Sequence, residues 1–222
     1  MLIGRLEQRA RDLNVMENTV FIFCSDNGTA VTAKSRGVER GCRVPFVVYG
    51  AGIKQRGATG EICDLSDILP TLVDLAGTEL SEGYEVDGRS LKPFLTGQVE
   101  THREYIVACI GTTRLVRTRT YVLEAVNPVL GVPRGRFYFC GTSHDGHGYQ
   151  RVDGEPAHAN VRGQLDRILA RHAGLTAAHP YFQQRAGARW LKAYLAPAAR
   201  EKHLHNHKDY QFYDESLEKG RP

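Results

Sequence analysis

The sequence lacks long hydrophobic runs, a strong excess of charge of one sign and paired cysteines, and each absence excludes a class of protein. Its longest apolar run, near residues 44–49, is far shorter than the roughly 18 residues that span a bilayer, so we expect no membrane span. The net charge is only +4 and is not clustered, so we expect no nucleic-acid partner. The five cysteines form no CxxC pair, which indicates neither a zinc site nor a disulfide framework.

What is present is typical of a globular protein with a substantial core. The 222 residues are 41% hydrophobic and 24% charged, close to the averages for globular domains. Apolar residues at helical spacing predict helices over residues 1–14 and 65–76, and short apolar runs predict strands at 19–24 and 44–49. This order favours a mostly parallel sheet covered by helices, with reactive loops at the carboxyl ends of its strands.

The second half of the chain has a different pattern. After a loop-rich stretch over residues 77–101, short apolar runs at 105–110, 115–126 and 136–140 predict antiparallel strands. Short helical patterns follow at 165–170 and 188–195. We therefore predict an α/β domain over residues 1–100 and a small subdomain with antiparallel strands and helices over residues 101–222.

The loop between the first two predicted strands carries the residue types of a functional site. Asp26 and Asn27 offer a carboxylate and an amide oxygen, which are ligands for calcium or magnesium, although Asp-Asn-Gly is also a favoured turn sequence. Lys34, Glu39 and Arg43 follow before the next strand. A lysine here suits an anionic ester, and a solvated surface loop is the alternative interpretation.

An ordered series of motifs carries a resemblance to a known family. It covers about 80 residues and reads Ser25-Asp-Asn-Gly28, Lys34 with Glu39, Arg43-Val-Pro45, Asp67-Ile-Leu-Pro-Thr71, Leu75-Ala-Gly77, and Asp87-Gly-Arg-Ser-Leu91 with Pro93, Leu95 and Gly97. The series resembles the later part of type I sulfatases of the arylsulfatase and N-acetylgalactosamine-6-sulfatase type.

The resemblance implies an alkaline-phosphatase-like α/β fold that hydrolyses sulfuric esters with a formylglycine nucleophile and a calcium ion. By position, Asp26 and Asn27 resemble calcium ligands, and Lys34 resembles the catalytic lysine that contacts the sulfate oxygens. Arg43 is expected to assist in substrate binding. The implied substrate is a sulfated small molecule or polysaccharide, and the implied location is periplasmic, secreted or lysosomal.

Two hallmarks of that family are absent from the sequence. No cysteine or serine has proline two positions on and arginine four positions on, and there is no Asp-Asp dipeptide. We therefore expect a C-terminal part of a sulfatase, with an incomplete calcium site, that is inactive without an N-terminal half supplied in cis or in trans. The alternatives are a non-catalytic remnant or interaction module of the same fold, and half of a related phosphoester hydrolase.

Two histidine-containing segments have open interpretations. His203, His205 and His207 are spaced to share one face of an extended chain and bind zinc, or they belong to a polar tail. The segment from Ser143 to His147 either reaches a sugar substrate or forms a simple turn.

Overall fold

The structure is a computed structural model that describes residues 2–28, 37–110, 113–126, 135–143 and 147–178. Two compact units divide the described chain. The first consists of residues 2–26 and 44–106, and the second consists of residues 27–28, 37–43 and the described residues from 107 onward.

The elements agree in order with those predicted and differ in several boundaries. The helices are α1 (Leu2–Asp12), α2 (Glu39–Cys42), α3 (Ile68–Leu75), α4 (Lys92–Leu95) and α5 (Ala159–Ala178), with short 3-10 turns at Met16–Asn18, Leu65–Asp67 and Pro156–His158. The strands are β1 (Val20–Cys24), β2 (Phe46–Gly50), β3 (Tyr105–Ile110), β4 (Thr113–Thr118), β5 (Tyr121–Val126), β6 (Arg136–Phe139) and β7 (Gln150–Arg151). No helix of the described residues is both long and apolar enough to cross a membrane.

Strands β1 and β2 of the first unit pair antiparallel, so the expectation of a parallel arrangement is wrong for this pair. The register runs from Val20 opposite Gly50 to Cys24 opposite Phe46. Parallel neighbours need a crossover element that carries the chain back along the sheet. The described part of the connection between β1 and β2 holds the four-residue helix α2.

The core of the first unit lies beneath β2 and α4. Its buried members are Ile53, Leu91, Phe94 and Leu95, against which the half-buried side chains of Val20, Phe46, Val48 and Cys63 pack. Asp64 begins the turn before α3 with a capping box, in which its side chain accepts from the amide of Ser66 and its own amide donates to Asp67. Gly77 has a φ of +66° just after α3, which explains why a glycine ends this helix.

The second unit is built on a five-stranded sheet of order β3-β4-β5-β6-β7, in which the successive pairs from β4 to β7 are antiparallel. This confirms the predicted antiparallel sheet. The predicted single strand over residues 115–126 is wrong, because the chain turns at Arg119 and Thr120 to form the β4–β5 hairpin. Buried Leu115, Val122, Tyr138 and Cys140 form a core on this sheet.

Helix α5 is longer than its predicted counterpart at 165–170 and packs against β4. Buried Leu165 and Leu169 lie one turn apart on it, which is the spacing of a single helix face. The helix predicted at 188–195 falls outside the described residues.

Candidate active site

Asp26 and Asn27 lie just after the carboxyl end of β1, separated from Cys24 by Ser25. Asp26 is exposed, and its carboxylate accepts a hydrogen bond from the hydroxyl of Ser25 at 3.3 Å. Asn27 is half-buried, and its side-chain nitrogen donates to the carbonyl oxygen of Gly28 at 2.9 Å. A cation would bind Asn27 through its amide oxygen, since the amide nitrogen carries only donors.

These two residues fit calcium in chemistry but not in number. Calcium takes six to eight oxygen ligands, and Asp26 and Asn27 supply two side chains. Within the described ranges, no group of three or more His, Cys, Asp or Glu side chains is placed to hold a metal ion. The described residues can therefore contribute to a calcium site and do not complete one.

Gly28, the residue after Asn27, lies against helix α2. Its amide donates to the carbonyl oxygen of Gly41 at 2.9 Å. A Cβ atom added to Gly28 would lie 2.1 Å from the carbonyl oxygen of Arg40 and 2.8 Å from that of Arg43. Only glycine permits this approach without a backbone shift. Lys34 lies between these segments in the sequence, outside the described residues, as does Arg36.

Arg43 directly follows α2 and lies near a carboxylate. Its side chain is 36% exposed, and a terminal guanidinium nitrogen lies 4.0 Å from Oε1 of Glu39 and 3.5 Å from the hydroxyl of Tyr149. An anion that binds Arg43 therefore meets a guanidinium whose charge is partly compensated by Glu39.

Glu39 is the centre of a polar cluster that sequence reasoning missed. Its Oε1 atom accepts from Nε of Arg117 at 2.9 Å and from the hydroxyl of Tyr149 at 3.1 Å. Its backbone amide donates to Glu124 at 2.8 Å, and Glu124 pairs with Arg136 at 3.0 Å. These partners are too distant in sequence for periodicity or spacing to reveal the contacts.

Tyr149 acts in this cluster as a hydrogen-bond donor. Burial, together with the nearby carboxylate of Glu39, raises the pKa of the Tyr149 phenol well above its usual value. The phenol therefore stays protonated at neutral pH and keeps its hydrogen for Glu39. The guanidinium of Arg117 also lies over the Tyr149 ring, 5.5 Å from its centre, a cation–π arrangement.

The five cysteines are all free thiols. Burial raises the pKa of Cys63 to about 11 and, in the other unit, that of Cys140 to about 11. Because a thiolate is the reactive form, these two side chains are poor nucleophiles at neutral pH. Cys109 is exposed, and partial burial of its thiol also raises its pKa.

The two histidine-containing segments singled out in the sequence are described only at Ser143 and His147. The hydroxyl of Ser143 donates to the carbonyl oxygen of His147 at 2.5 Å, a contact compatible with the turn interpretation. Residues 144–146 are outside the described residues, and so are His203, His205 and His207.

Several known proteins are similar to this chain in sequence. Residues 1–78 match the sequence profile of the family described as Sulfatase. An arylsulfatase of the sea urchin Hemicentrotus pulcherrimus is 29% identical over 133 residues, which are 54% of this chain and 24% of that protein. An arylsulfatase of Clostridium perfringens is 34% identical over 113 residues, 47% of this chain and 23% of that protein. Human arylsulfatase A is 33% identical over 115 residues, 46% of this chain and 22% of that protein.

Solved structures show the same fold. A Bacteroides thetaiotaomicron protein, described in work on the metabolism of multiple glycosaminoglycans, superposes with a TM-score of 0.59 at 22% identity, over 78% of this chain and 42% of its own. A second protein, solved with its substrate D-glucosamine-2-N,6-O-disulfate, gives a TM-score of 0.53 at 17% identity, over 80% of this chain and 38% of its own. The chain therefore has part of the alkaline-phosphatase-like α/β fold of these structural neighbours.

The match spans about a quarter of the length of the curated relatives. The profile match, the arylsulfatase relatives and the shared fold agree with the motif series that begins at Ser25. The chain is therefore similar to the sulfatase family over residues 1–78, and to the arylsulfatase relatives over about half of its length.

Proposed function

We propose that this chain forms part of a sulfuric ester hydrolase and supplies the cations and metal ligands of its sulfate site. Asp26 and Asn27 are the calcium ligands in this proposal, and Lys34 and Arg43 bind the sulfate group. The single observation that carries it is the segment from Ser25 to Pro45, where all four residues lie in one connection between two paired strands.

The chemistry of these groups suits transfer of a sulfuryl group. Hydrolysis of a sulfate ester develops negative charge on the leaving oxygen, and fixed cations lower the free energy of that transition state. A bound calcium ion supplies Lewis-acid polarisation of a sulfate oxygen. Lys34 supplies a compact charge to the sulfate oxygens, while the planar guanidinium of Arg43 favours a fixed, two-pronged contact.

We propose a sulfated sugar as the substrate class. The structural relative solved with D-glucosamine-2-N,6-O-disulfate supports this choice. Arg40 is exposed at the same segment, where it is available to a second anionic group of a polysaccharide.

The nucleophile in this proposal comes from a polypeptide segment outside the 222 residues, in cis or in trans. The sequence contains no CxPSR-like motif, and the matched relatives are about four times as long as the region they share with it. Exposed apolar side chains of the first unit support a partner surface: Phe23 is 47% and Val47 is 50% exposed, and they face each other across β1 and β2.

Reconstitution tests this function. The purified chain, calcium and a chromogenic aryl sulfate are combined with and without the CxPSR-bearing segment of an arylsulfatase relative. We expect turnover only in the combination, and its loss in Lys34→Ala. Lys54→Ala, which removes an exposed lysine of the first unit, is the control and is expected to retain activity.

Equilibrium binding keeps the test informative if the two segments do not assemble. Titration of the chain with inorganic sulfate is expected to show binding that Lys34→Ala and Arg43→Ala each weaken. Binding that neither variant changes would contradict the proposed function and favour a non-catalytic interaction module.

A further inference from the structure

The segment that carries the candidate site is tied to the antiparallel sheet through Glu39. The carboxylate of Glu39 contacts Arg117 on β4 at 2.9 Å and Tyr149, next to β7, at 3.1 Å. The backbone amide of Glu39 contacts Glu124 on β5 at 2.8 Å. Two strands of the sheet and the residue before β7 therefore all contact Glu39 of α2.

These contacts lie away from water. The side chains of Glu39 and Arg117 are 14% and 11% exposed, and those of Glu124 and Arg136 are 8% and 5% exposed. Removing one member of such a pair leaves a desolvated charge without its counter-charge, which costs more than an exposed pair would. The arrangement therefore resists local opening of α2.

The direction of the Arg117 guanidinium is set by the sheet itself. One terminal nitrogen of Arg117 donates to the carbonyl oxygens of Thr118 at 2.5 Å and Tyr121 at 3.3 Å, the two residues that flank the β4–β5 turn. The other donates to the hydroxyl of Tyr149 at 3.3 Å. A guanidinium fixed in this way presents Nε to Glu39 in one orientation.

Helix α2 links the fixed position of Glu39 to the candidate site residues by backbone hydrogen bonds. Gly28, next to Asn27, is hydrogen-bonded to the carbonyl of Gly41 within α2. Arg43 directly follows α2, and its amide donates to the carbonyl oxygen of Glu39 at 2.6 Å. Gly28, the neighbour of Asn27, and Arg43 are therefore both hydrogen-bonded to α2, the element that Glu39 links to the sheet.

We propose that Glu39 is a positioning residue of the sulfate site, which fixes Asn27 and Arg43 relative to each other through its contacts with Arg117 and Tyr149. This inference rests on the proposed function for the identity of the site. It assigns the antiparallel sheet of the second unit a direct part in holding that site.

Amide hydrogen exchange of the full chain tests the proposal. Tyr149→Phe removes one donor to Glu39 at nearly constant volume, and Glu39→Gln removes the charge. We expect exchange at Gly28, Gly41 and Arg43 to become about tenfold faster in each variant, while Val122 and Tyr138 in the sheet exchange at the wild-type rate. Glu155→Gln, at an exposed carboxylate of the same unit, is the control and is expected to change none of these rates.

Two outcomes would overturn the positioning role. One is wild-type exchange at Gly28 and Arg43 in both variants. The other is an equal increase throughout the sheet, which indicates loss of global stability alone.

Added inorganic sulfate separates this inference from the proposed function. In the wild-type chain, sulfate is expected to slow exchange at Arg43, and the two variants are expected to need more sulfate for the same effect. A local increase in exchange in the variants without any sulfate effect in wild type would support the attachment of α2 and overturn the sulfate site.

Discussion

The carboxylate of Asp67 is fully buried in the first unit and surrounded by hydrogen-bond donors. It accepts from the amides of Asp64 at 2.9 Å and Arg89 at 2.7 Å, from Nε2 of His102 at 3.0 Å, and from two nitrogens of Arg103. Burial alone raises the pKa of Asp67, but these donors, Arg103 foremost, outweigh it and hold the pKa below its usual value. One side chain thereby joins the turn before α3 to two later loops.

Asp67→Asn is expected to destabilise the first unit strongly. The asparagine amide lacks the negative charge that compensates Arg103. Its NH2 group would also face the surrounding N–H donors, where only an acceptor can form hydrogen bonds. Breaking a buried pair in this way costs roughly 3–5 kcal/mol, measurable as a lower urea midpoint. Glu82→Gln, at an exposed position of the same unit, is the matched control and should leave the midpoint within the error.

The lowered pKa of Asp67 also predicts a direction of pH dependence. The pKa of Asp67 is about 3.9 in the unfolded chain and lower in the folded protein. At a pH between these two pKa values, the folded protein therefore binds fewer protons than the unfolded chain. The stabilisation is therefore complete above about pH 4 and is lost as the pH falls toward the folded pKa. The difference in unfolding free energy between wild type and Asp67→Asn should shrink below pH 4, and a constant difference from pH 7 to 2 would contradict this.

At the scale of elements, the contact between Gly28 and α2 determines how the loop after β1 is held. The carbonyl oxygens of Arg40 and Arg43 lie 2.1 Å and 2.8 Å from the position that a Cβ atom of residue 28 would take. These are backbone atoms, so an added side chain cannot be accommodated by a change of rotamer. The close approach therefore fixes the distance between the loop and the helix.

Gly28→Ala is expected to displace α2 and lower stability by about 1–3 kcal/mol, the usual cost of overpacking. Gly163→Ala in α5 is the matched control, since the nearest atom to its new Cβ is the flexible end of Arg167 at 3.7 Å. Alanine is the better helix former there, so this control should be neutral or stabilising by up to about 1 kcal/mol. Thermal unfolding of both variants measures the difference, and equal midpoints would contradict the steric argument.

The sequence predicted elements better than it predicted their pairing. The apolar runs predicted the bounds of β1, β2 and β3 to within two residues, because a buried strand is a short run of apolar residues in the sequence. Antiparallel pairing of β1 with β2 and the turn at Arg119 depend on where the chain returns, which no local pattern encodes. For the candidate site, the motif series singled out Asp26, Asn27 and Arg43, and their roles stay predictions. It did not reveal the role of Glu39, because Arg117 and Tyr149 are 78 and 110 residues away.

At the scale of the whole molecule, the first unit leaves several large apolar side chains exposed to solvent. Leu6 on α1 is 62% exposed, Leu72 on α3 is 49% exposed, and the cross-strand pair of Phe23 and Val47 is about half exposed. Neighbouring exposed apolar side chains, such as the cross-strand pair of Phe23 and Val47, are typical of surfaces that bind other polypeptides. This is the surface that the proposed nucleophile-bearing segment would cover.

The isolated chain is therefore expected to bind the dye ANS and to self-associate. Replacing both Phe23 and Val47 by threonine should reduce both effects while changing the unfolding free energy by no more than about 0.5 kcal/mol per site, as for other exposed positions. The same variant should weaken association with the CxPSR-bearing segment. Fluorescence and light scattering provide the measurement, and a wild-type chain that is monomeric and silent toward ANS would contradict the prediction.

The contacts of Glu39 also determine when the candidate site forms during synthesis. Glu39 is bonded to residues 85 and 110 positions later in the chain, so α2 cannot acquire its partners until β5 and Tyr149 have been translated. At about 5–20 residues per second, this delay lasts roughly 5–20 s. The segment that carries the site is thus synthesised early and fixed in place late, after the sheet that holds it.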